Sequence, residues 1–110
     1  MLEGIFGNHT AERVLLYIFH YGEIHASAIA RDLKTALNPI KGQLDRFEKA
    51  GVLVSKEMGR TRIYSFNRKS ALVAPVRDLI RVLYDSISLK EREQLFATRR
   101  RPRRKGKPVL

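Results

Sequence analysis

The stretch that decides the fold runs from Glu23 to Asn67 and reads EIHASAIARDLKTALNPIKGQLDRFEKAGVLVSKEMGRTRIYSFN. Its first half carries two helical patterns separated by a short turn. The first covers Ala26–Leu33, where apolar residues recur at helical spacing. The second starts at Asn38-Pro39, a favourable helix start because proline lacks the N–H that would be unpaired there. We therefore predict a second helix from Asn38 to Ala50 that ends before Gly51.

The second half of this stretch has the composition of a β-hairpin. Val52–Glu57 and Arg62–Asn67 are rich in β-branched and aromatic residues, and Met58-Gly59-Arg60-Thr61 separates them. Upstream, Glu23–Ile24 is a candidate stub of strand. The stretch thus predicts two helices joined by a short turn, followed by a hairpin with a basic tip.

Helices are also predicted on both sides of this stretch. One runs to Tyr21 from a cap at Asn8 or Thr10, and Gly22 ends it. A later helix covers Pro75–Ile87. After it, Ser88-Leu-Lys-Glu91 matches a capping box and predicts a short helix to about Thr98.

The order of elements predicts a mainly α fold with a small β-hairpin, a winged helix-turn-helix with extra C-terminal helices. The motifs IARDL, LDRFEKAGVLVS and GRTRIYSF resemble those of the ArsR/MarR-type winged-helix transcriptional regulators, and RKSALVAPVRDLIR is similar to the segment that leads into their last helix. The resemblance covers about residues 10–87. It implies that helix 38–50 enters the major groove of DNA and that the hairpin acts as a wing.

The side chains of the second helix divide into two faces. Ile40, Leu44 and Phe47 form an apolar stripe opposite a polar face. Side chains in the N-terminal half of such a helix read base edges, and amide and basic groups match purines there. The candidates for base contact are Asn38, Lys41, Gly42, Gln43 and Arg46. The alternative is a solvated polar face held by charge pairs along the helix.

The hairpin supplies a second set of candidates across 56–62. The residues that could reach phosphates or the minor groove are Lys56, Arg60, Thr61 and Arg62. The alternative is a charged hairpin that only protects its edge from aggregation.

Positive charge is concentrated at the C-terminus. The formal net charge is +11, and residues 99–110 are a basic, Pro-containing segment expected to be disordered in isolation, after a domain over 1–98. Its candidates for DNA contact are Arg99, Arg100, Arg101, Arg103 and Arg104. The same string is compatible with a nuclear-localisation-like patch, an RNA-binding arm, a membrane-surface contact or no site at all.

Apolar residues cover nearly the whole circumference of the first predicted helix, which indicates that one side meets the core and the other a second subunit. The stripe of helix 75–87 is also wide. We therefore predict a two-fold dimer through Leu15, Ile18, Phe19, Leu79, Ile80, Leu83 and Ile87. The alternative is that the last helix covers the first one within a single chain.

Several classes of function are disfavoured. The chain has no cysteine, its three histidines are not spaced for a common tetrahedral metal site, and no phosphate loop or nucleophile motif is present. We therefore expect no enzymatic activity, metal or cofactor. Without a bilayer-length apolar run or a secretory signal, the expected location is the cytoplasm, away from membranes.

The predicted partners are double-stranded DNA and a second copy of the chain, and the residues identify no small-molecule effector. The leading interpretation is a dimeric regulator, expected to repress transcription from a pseudo-palindromic operator. Two alternatives stay open. One is a non-specific architectural or plasmid-maintenance DNA-binding protein, and the other is a winged-helix protein-interaction module.

Overall fold

The computed structural model describes residues 1–96 of the chain. The helices are α1 Glu3–Phe6, α2 His9–Tyr21, α3 Ala26–Leu33, α4 Leu37–Lys49, α5 Val73–Ser86 and α6 Leu89–Leu95. The strands are β1 Glu23–His25, β2 Leu53–Met58 and β3 Thr61–Phe66. This order confirms the predicted fold class, a winged helix-turn-helix with added helices at its C-terminal end. The short α1 was not predicted.

Polar side chains fix the starts of the first two long helices. Asn8 caps α2, where its Oδ1 accepts a hydrogen bond from the Ala11 N–H at 2.7 Å. His25 caps α3, where its Nδ1 accepts from the Ala28 N–H at 3.1 Å. Of the two predicted caps for α2, the structure therefore uses Asn8 and not Thr10.

The predicted starts of α4 and α5 were wrong by one or two residues. Ala36, and not Asn38, is the N-cap residue of α4, and its side chain makes no capping bond. Likewise α5 begins at Val73 and not at Pro75. Both prolines lie within the first turn, where the backbone N–H groups have no helical acceptor, so proline costs no hydrogen bond there.

The three strands form one antiparallel sheet in the order β1-β3-β2. Strand β1 confirms the predicted stub and sets Ile24 opposite Tyr64. Strands β2 and β3 are joined by Gly59-Arg60 alone, so the turn is tighter than the four residues expected from the sequence. Gly59 has a φ of +66°, which glycine adopts without the steric cost of a side chain.

Helix α2 runs through the centre of the molecule. A single chain buries Leu15, Leu16, Tyr17 and Ile18 completely, with α1, α4, α5 and the sheet around them. The expectation that the apolar circumference of α2 needs a second subunit was therefore wrong, and the single-chain alternative describes this helix.

Helix α6 packs back onto α2. The predicted capping box is present, with the Ser88 Oγ accepting from the Glu91 N–H at 3.1 Å. The Tyr17 hydroxyl donates to the Leu95 carbonyl at 3.0 Å, and the rings of His20 and Phe96 stack with centroids 3.8 Å apart. Among residues 1–96, no helix is long and apolar enough to cross a membrane.

Candidate nucleic-acid interface

Helices α3 and α4 have the proportions of a helix-turn-helix. The three residues between them include Lys34, which has a φ of +57° in the left-handed region. The Thr35 N–H then donates to the Ala30 carbonyl at 3.0 Å, which closes the end of α3. This turn fixes the direction in which α4 leaves α3.

The two faces of α4 are separated as the sequence indicated. Ile40, Leu44 and Phe47 are buried. On the other side, Asn38, Lys41, Gly42 and Arg46 are exposed, and Gln43 is half-buried. A rigid core therefore supports a polar surface of the size that enters a DNA groove.

Arg46 is held by contacts within the protein. Its Nη2 donates to the Phe6 carbonyl at 2.7 Å and to the Gln43 Oε1 at 2.8 Å, and its guanidinium lies over the Phe47 ring at 4.8 Å. Two of the five candidates for base contact thus bind each other. The link to Phe6 could not be predicted from the sequence, because 40 residues separate the partners.

The basic residues of the hairpin differ in their surroundings. The Lys56 Nζ lies 3.8 Å from the Glu23 Oε1. The Arg62 Nη2 lies 3.2 Å from the Glu57 Oε2. Arg62 also donates through Nη1 to the Ser55 Oγ at 2.8 Å. Acidic neighbours therefore offset the positive charge of both residues.

Arg60 lies at the exposed tip of the hairpin, with Thr61 half-buried beside it. Neither Arg60 nor Lys41 makes an ion pair or a side-chain hydrogen bond with any residue of 1–96. These two cations are therefore available to an anionic partner.

An open groove of about 500 Å³ separates α4 from the hairpin. Lys41 and Asp45 line one wall, and Arg60, Thr61 and Arg62 line the other. The start of α3 and further residues of α4 and the hairpin also line it: His25, Ala26, Ser27, Leu37, Glu57 and Tyr64. The groove thus brings one helix candidate, Lys41, together with the hairpin candidates Arg60, Thr61 and Arg62. The other candidates, which do not line it, are Asn38, Gly42, Gln43, Arg46 and Lys56.

Asp45 is one of two acidic residues that line this groove, with Glu57. Its Oδ1 accepts from the Tyr64 hydroxyl at 3.5 Å. Burial raises the pKa of Tyr64 above 10.0, and the negative charges of Asp45 and Glu48 raise it further. Asp45 is therefore the acceptor for the partly buried Tyr64 hydroxyl, which links α4 to β3.

The remaining candidates lie away from the groove. Leu15, Ile18 and Ile80 are fully buried and Leu83 is 7% exposed, so these four offer no surface to a partner, and the prediction is corrected for them. Phe19, Leu79 and Ile87 are partly buried. The arginines predicted at positions 99–104 lie outside the described residues.

Sequence reasoning missed one further cluster. Glu3, His9 and Glu12 bring a histidine and two carboxylates together at the start of the molecule. Histidine spacing alone could not predict this mixed set, and the short α1 that carries Glu3 was not predicted either.

Comparison with known proteins gives matches among solved structures. No protein-family model matches the sequence, and no curated protein is significantly similar to it. The antimony-specific transcriptional repressor AntR is 19% identical, with a TM-score of 0.59 over 77% of this chain and 75% of that one. The adhesin competence repressor AdcR from Streptococcus pyogenes is 11% identical, with a TM-score of 0.58 over 88% of this chain and 72% of that one.

A third match is MepR, a transcription regulator of the Staphylococcus aureus multidrug efflux pump MepA. It is 15% identical, with a TM-score of 0.56 over 88% of this chain and 78% of that one. The chain has the winged helix-turn-helix fold of these regulators. The resemblance stated from the sequence is thus confirmed for the winged helix as a fold.

Proposed function

We propose that this winged-helix protein binds double-stranded DNA as a dimer and represses transcription by occupying an operator. The observation that carries the proposal is the groove between α4 and the hairpin, where Lys41 and Arg60 face solvent without a partner among residues 1–96. Phosphate contacts from such cations position a protein on DNA, and contacts from the helix to base edges then specify the sequence.

The N-terminal half of α4 supplies the base contacts in this proposal. Asn38 suits adenine and Lys41 suits guanine, and both side chains are exposed on the face opposite the core. Gln43 and Arg46 join them once Arg46 leaves the Phe6 carbonyl. Among the hairpin residues, Arg60 takes the leading role, because Lys56 and Arg62 already face acidic partners.

The dimer in this proposal uses apolar side chains that the single chain leaves exposed. Val82 is 60% exposed on α5 and Leu89 is 73% exposed on α6, next to the partly buried Leu79 and Ile87. Binding to a pseudo-palindromic site requires the two copies of α4 in such a dimer to lie about 34 Å apart.

Fluorescence anisotropy on DNA tests the function. The intact chain and a version ending at Thr98 are titrated against DNA upstream of the protein's own gene and against a scrambled duplex, at two salt concentrations. A regulator prefers its own site by about a thousandfold or more. Removal of residues 99–110 flattens the salt dependence and leaves the preference intact, since phosphate contacts carry the salt dependence.

Two other outcomes would replace the proposal. Equal binding of both duplexes, lost on truncation, would identify a non-specific DNA-binding protein that depends on its basic C-terminus. No DNA binding by either version would favour a protein-interaction module.

A further inference from the structure

Helix α1 packs against the start of α2 so that three metal-ligating side chains converge. The ligand atoms of Glu3, His9 and Glu12 all lie within 4.8 Å of one another. The His9 Nδ1 is 3.2 Å from the Glu3 Oε2 and 3.7 Å from the Glu12 Oε2. Glu3 and His9 face solvent, so an ion has access to the cluster from outside.

Glu12 is the unusual member of this cluster, because it is only 3% exposed. Its Oε1 accepts from the Leu2 N–H at 2.5 Å and lies 3.4 Å from the Met1 ammonium. Its Oε2 accepts no hydrogen bond from any residue of 1–96 and is directed at His9. A buried carboxylate is costly unless it is paired or binds a cation, and the Met1 ammonium already offsets part of this cost for Glu12.

Glu3 completes a negatively charged pair with Glu12. The hydrogen bond from the Met1 ammonium lowers the pKa of Glu3 to about 2, helped by its own backbone N–H and by His9. The Glu3 carboxylate is therefore ionised at neutral pH and is already engaged with a cationic group, the ammonium at 2.6 Å.

We propose that Glu3, His9 and Glu12 form a binding site for a divalent transition-metal ion of the Zn²⁺ class. Imidazole nitrogens and carboxylate oxygens both bind such ions, and three protein ligands leave a position for water. In a tetrahedral zinc site, neighbouring ligand atoms are about 3.4 Å apart. The two measured separations from the His9 Nδ1, 3.2 and 3.7 Å, bracket that value.

Arg13 opposes the metal. Its Nε donates to the His9 Nε2 at 3.0 Å, which leaves the proton of a neutral imidazole on Nδ1. A metal at Nδ1 moves that proton to Nε2, so Arg13 has to turn away. Removal of this arginine therefore favours metal binding, whereas a purely structural role for the cluster predicts no such gain.

The cluster is linked to the DNA-binding helix through α1. The Phe6 carbonyl, at the end of α1, accepts from Arg46, and the Phe6 and Phe47 rings meet edge to face at 6.2 Å. A metal that ties Glu3 to α2 stabilises this docked position of α1 and keeps Arg46 on Phe6. This link to α4 rests on the proposed function. Through it, metal binding lowers the affinity of the protein for DNA.

Zinc titration of the untagged, chelator-treated chain tests the site without DNA. We expect one Zn²⁺ per chain by calorimetry and by metal analysis after dialysis. Glu12→Gln retains an oxygen for the Leu2 N–H, and His9→Gln changes an exposed residue. Each should weaken binding at least tenfold, and Arg13→Gln should strengthen it severalfold. Glu93→Gln and His20→Gln, outside the cluster, are the controls and should bind as the wild type does.

The result that overturns the site is wild-type zinc binding no tighter than that of His9→Gln. Because His9 is exposed, this comparison stands even if Glu12→Gln does not fold. A second titration measures DNA affinity with and without zinc. A severalfold loss of DNA affinity on adding zinc, absent in His9→Gln, supports the link through α1. An unchanged DNA affinity refutes the link. The zinc titration decides the existence of the site separately.

Discussion

Gly42 occupies the exposed face of α4, and a Cβ atom added there meets nothing within 4 Å. Packing within residues 1–96 therefore gives no reason for a glycine in this helix. Glycine costs a helix up to about 1 kcal/mol relative to alanine. Close approach of DNA to the backbone is the reason that the proposed function supplies.

The first prediction concerns this residue. Gly42→Ala should raise the free energy of unfolding by up to about 1 kcal/mol, because alanine favours the helix. Gly42→Leu should weaken binding to operator DNA at least about tenfold, because the leucine side chain would occupy space needed for the floor of the DNA major groove. Anisotropy and chemical denaturation measure the two effects, with Ala74→Leu on the exposed side of α5 as the control. Undiminished DNA affinity of Gly42→Leu would contradict the account.

His20 makes stability depend on pH. Its Nδ1 is 2.7 Å from the Tyr84 hydroxyl, and its ring stacks on Phe96. Burial lowers the pKa of His20 below 6.5, and the nearby charge of Arg92 lowers it further. The unfolded chain therefore binds this proton more readily than the folded one, so the contribution of His20 to stability is present above pH 6.5 and is lost as the pH falls.

The second prediction follows from the lowered pKa of His20. Between about pH 7.5 and about pH 5.5, the wild type should lose more of its free energy of unfolding than His20→Gln, because the glutamine at position 20 does not titrate. Urea denaturation at the two pH values measures the difference. Glu3 titrates well below this window, with a pKa of about 2, and does not interfere. Equal losses in both proteins would show that His20 is not the group responsible.

At the scale of elements, the hairpin separates free cations from paired ones. Arg60 lies at the exposed tip, whereas Arg62 is paired with Glu57 and donates to Ser55. Exposed ion pairs contribute at most about 1 kcal/mol to stability. Their effect here is to hold Arg62 along the strand, so that Arg60 in the turn is the cation left exposed.

The third prediction compares these two arginines. Arg60→Ala should lower DNA affinity on all sequences and reduce the salt slope by about one, the effect of losing one phosphate contact. Its unfolding free energy should not change. Arg62→Ala should change the salt slope less and lower stability slightly. Salt titrations by anisotropy measure the slopes, with Lys90→Ala on α6 as the control. A salt slope unaffected by Arg60→Ala would contradict the role of the hairpin.

The sequence predicted the elements that have strong local signals. The Asn8 cap, the Gly22 end, the hairpin and the Ser88 capping box each depend on residues close together in the chain, and each was found. Proline marks the first turn of a helix but not the residue that begins it, which is why α4 and α5 start earlier than expected. Helix α1, with four residues including a glycine, is too short to show a period.

The candidate site was less predictable, because its chemistry depends on contacts between distant residues. The sequence sorted the exposed and buried faces of α4, since a helical period is a local property. It did not show that Phe6 engages Arg46, that Tyr64 engages Asp45 or that Glu23 faces Lys56. Those partners decide which charges stay available for DNA, and only the folded chain reveals them.

At the scale of the whole molecule, the surface for a second copy is smaller than the sequence indicated. One chain buries Leu15, Leu16, Tyr17 and Ile18 of α2 completely, so a dimer has to use side chains that remain outside. Val82 and Leu89 are the most exposed large apolar residues of α5 and α6. Charged residues, Arg81 and Lys90, are their neighbours in the chain.

The fourth prediction tests this surface. In the absence of DNA, sedimentation at roughly tens of micromolar protein should show a dimer. The double variant Val82→Asp with Leu89→Asp should be a monomer with an unchanged circular dichroism spectrum, because both side chains lie outside the core. Ala74→Asp adds a charge elsewhere on α5 and should remain dimeric. A wild-type monomer under these conditions would remove the dimer from the proposal.

The central claim is that α4 reads the sequence of DNA with its N-terminal half. The direct measurement compares the wild type and the double variant Asn38→Ala with Lys41→Ala on operator DNA and on a scrambled duplex of equal length. We predict that the variant loses about a hundredfold or more of the preference for the operator and keeps the weak, salt-dependent binding shared by both duplexes. A variant that retains the full preference would show that another surface recognises the operator.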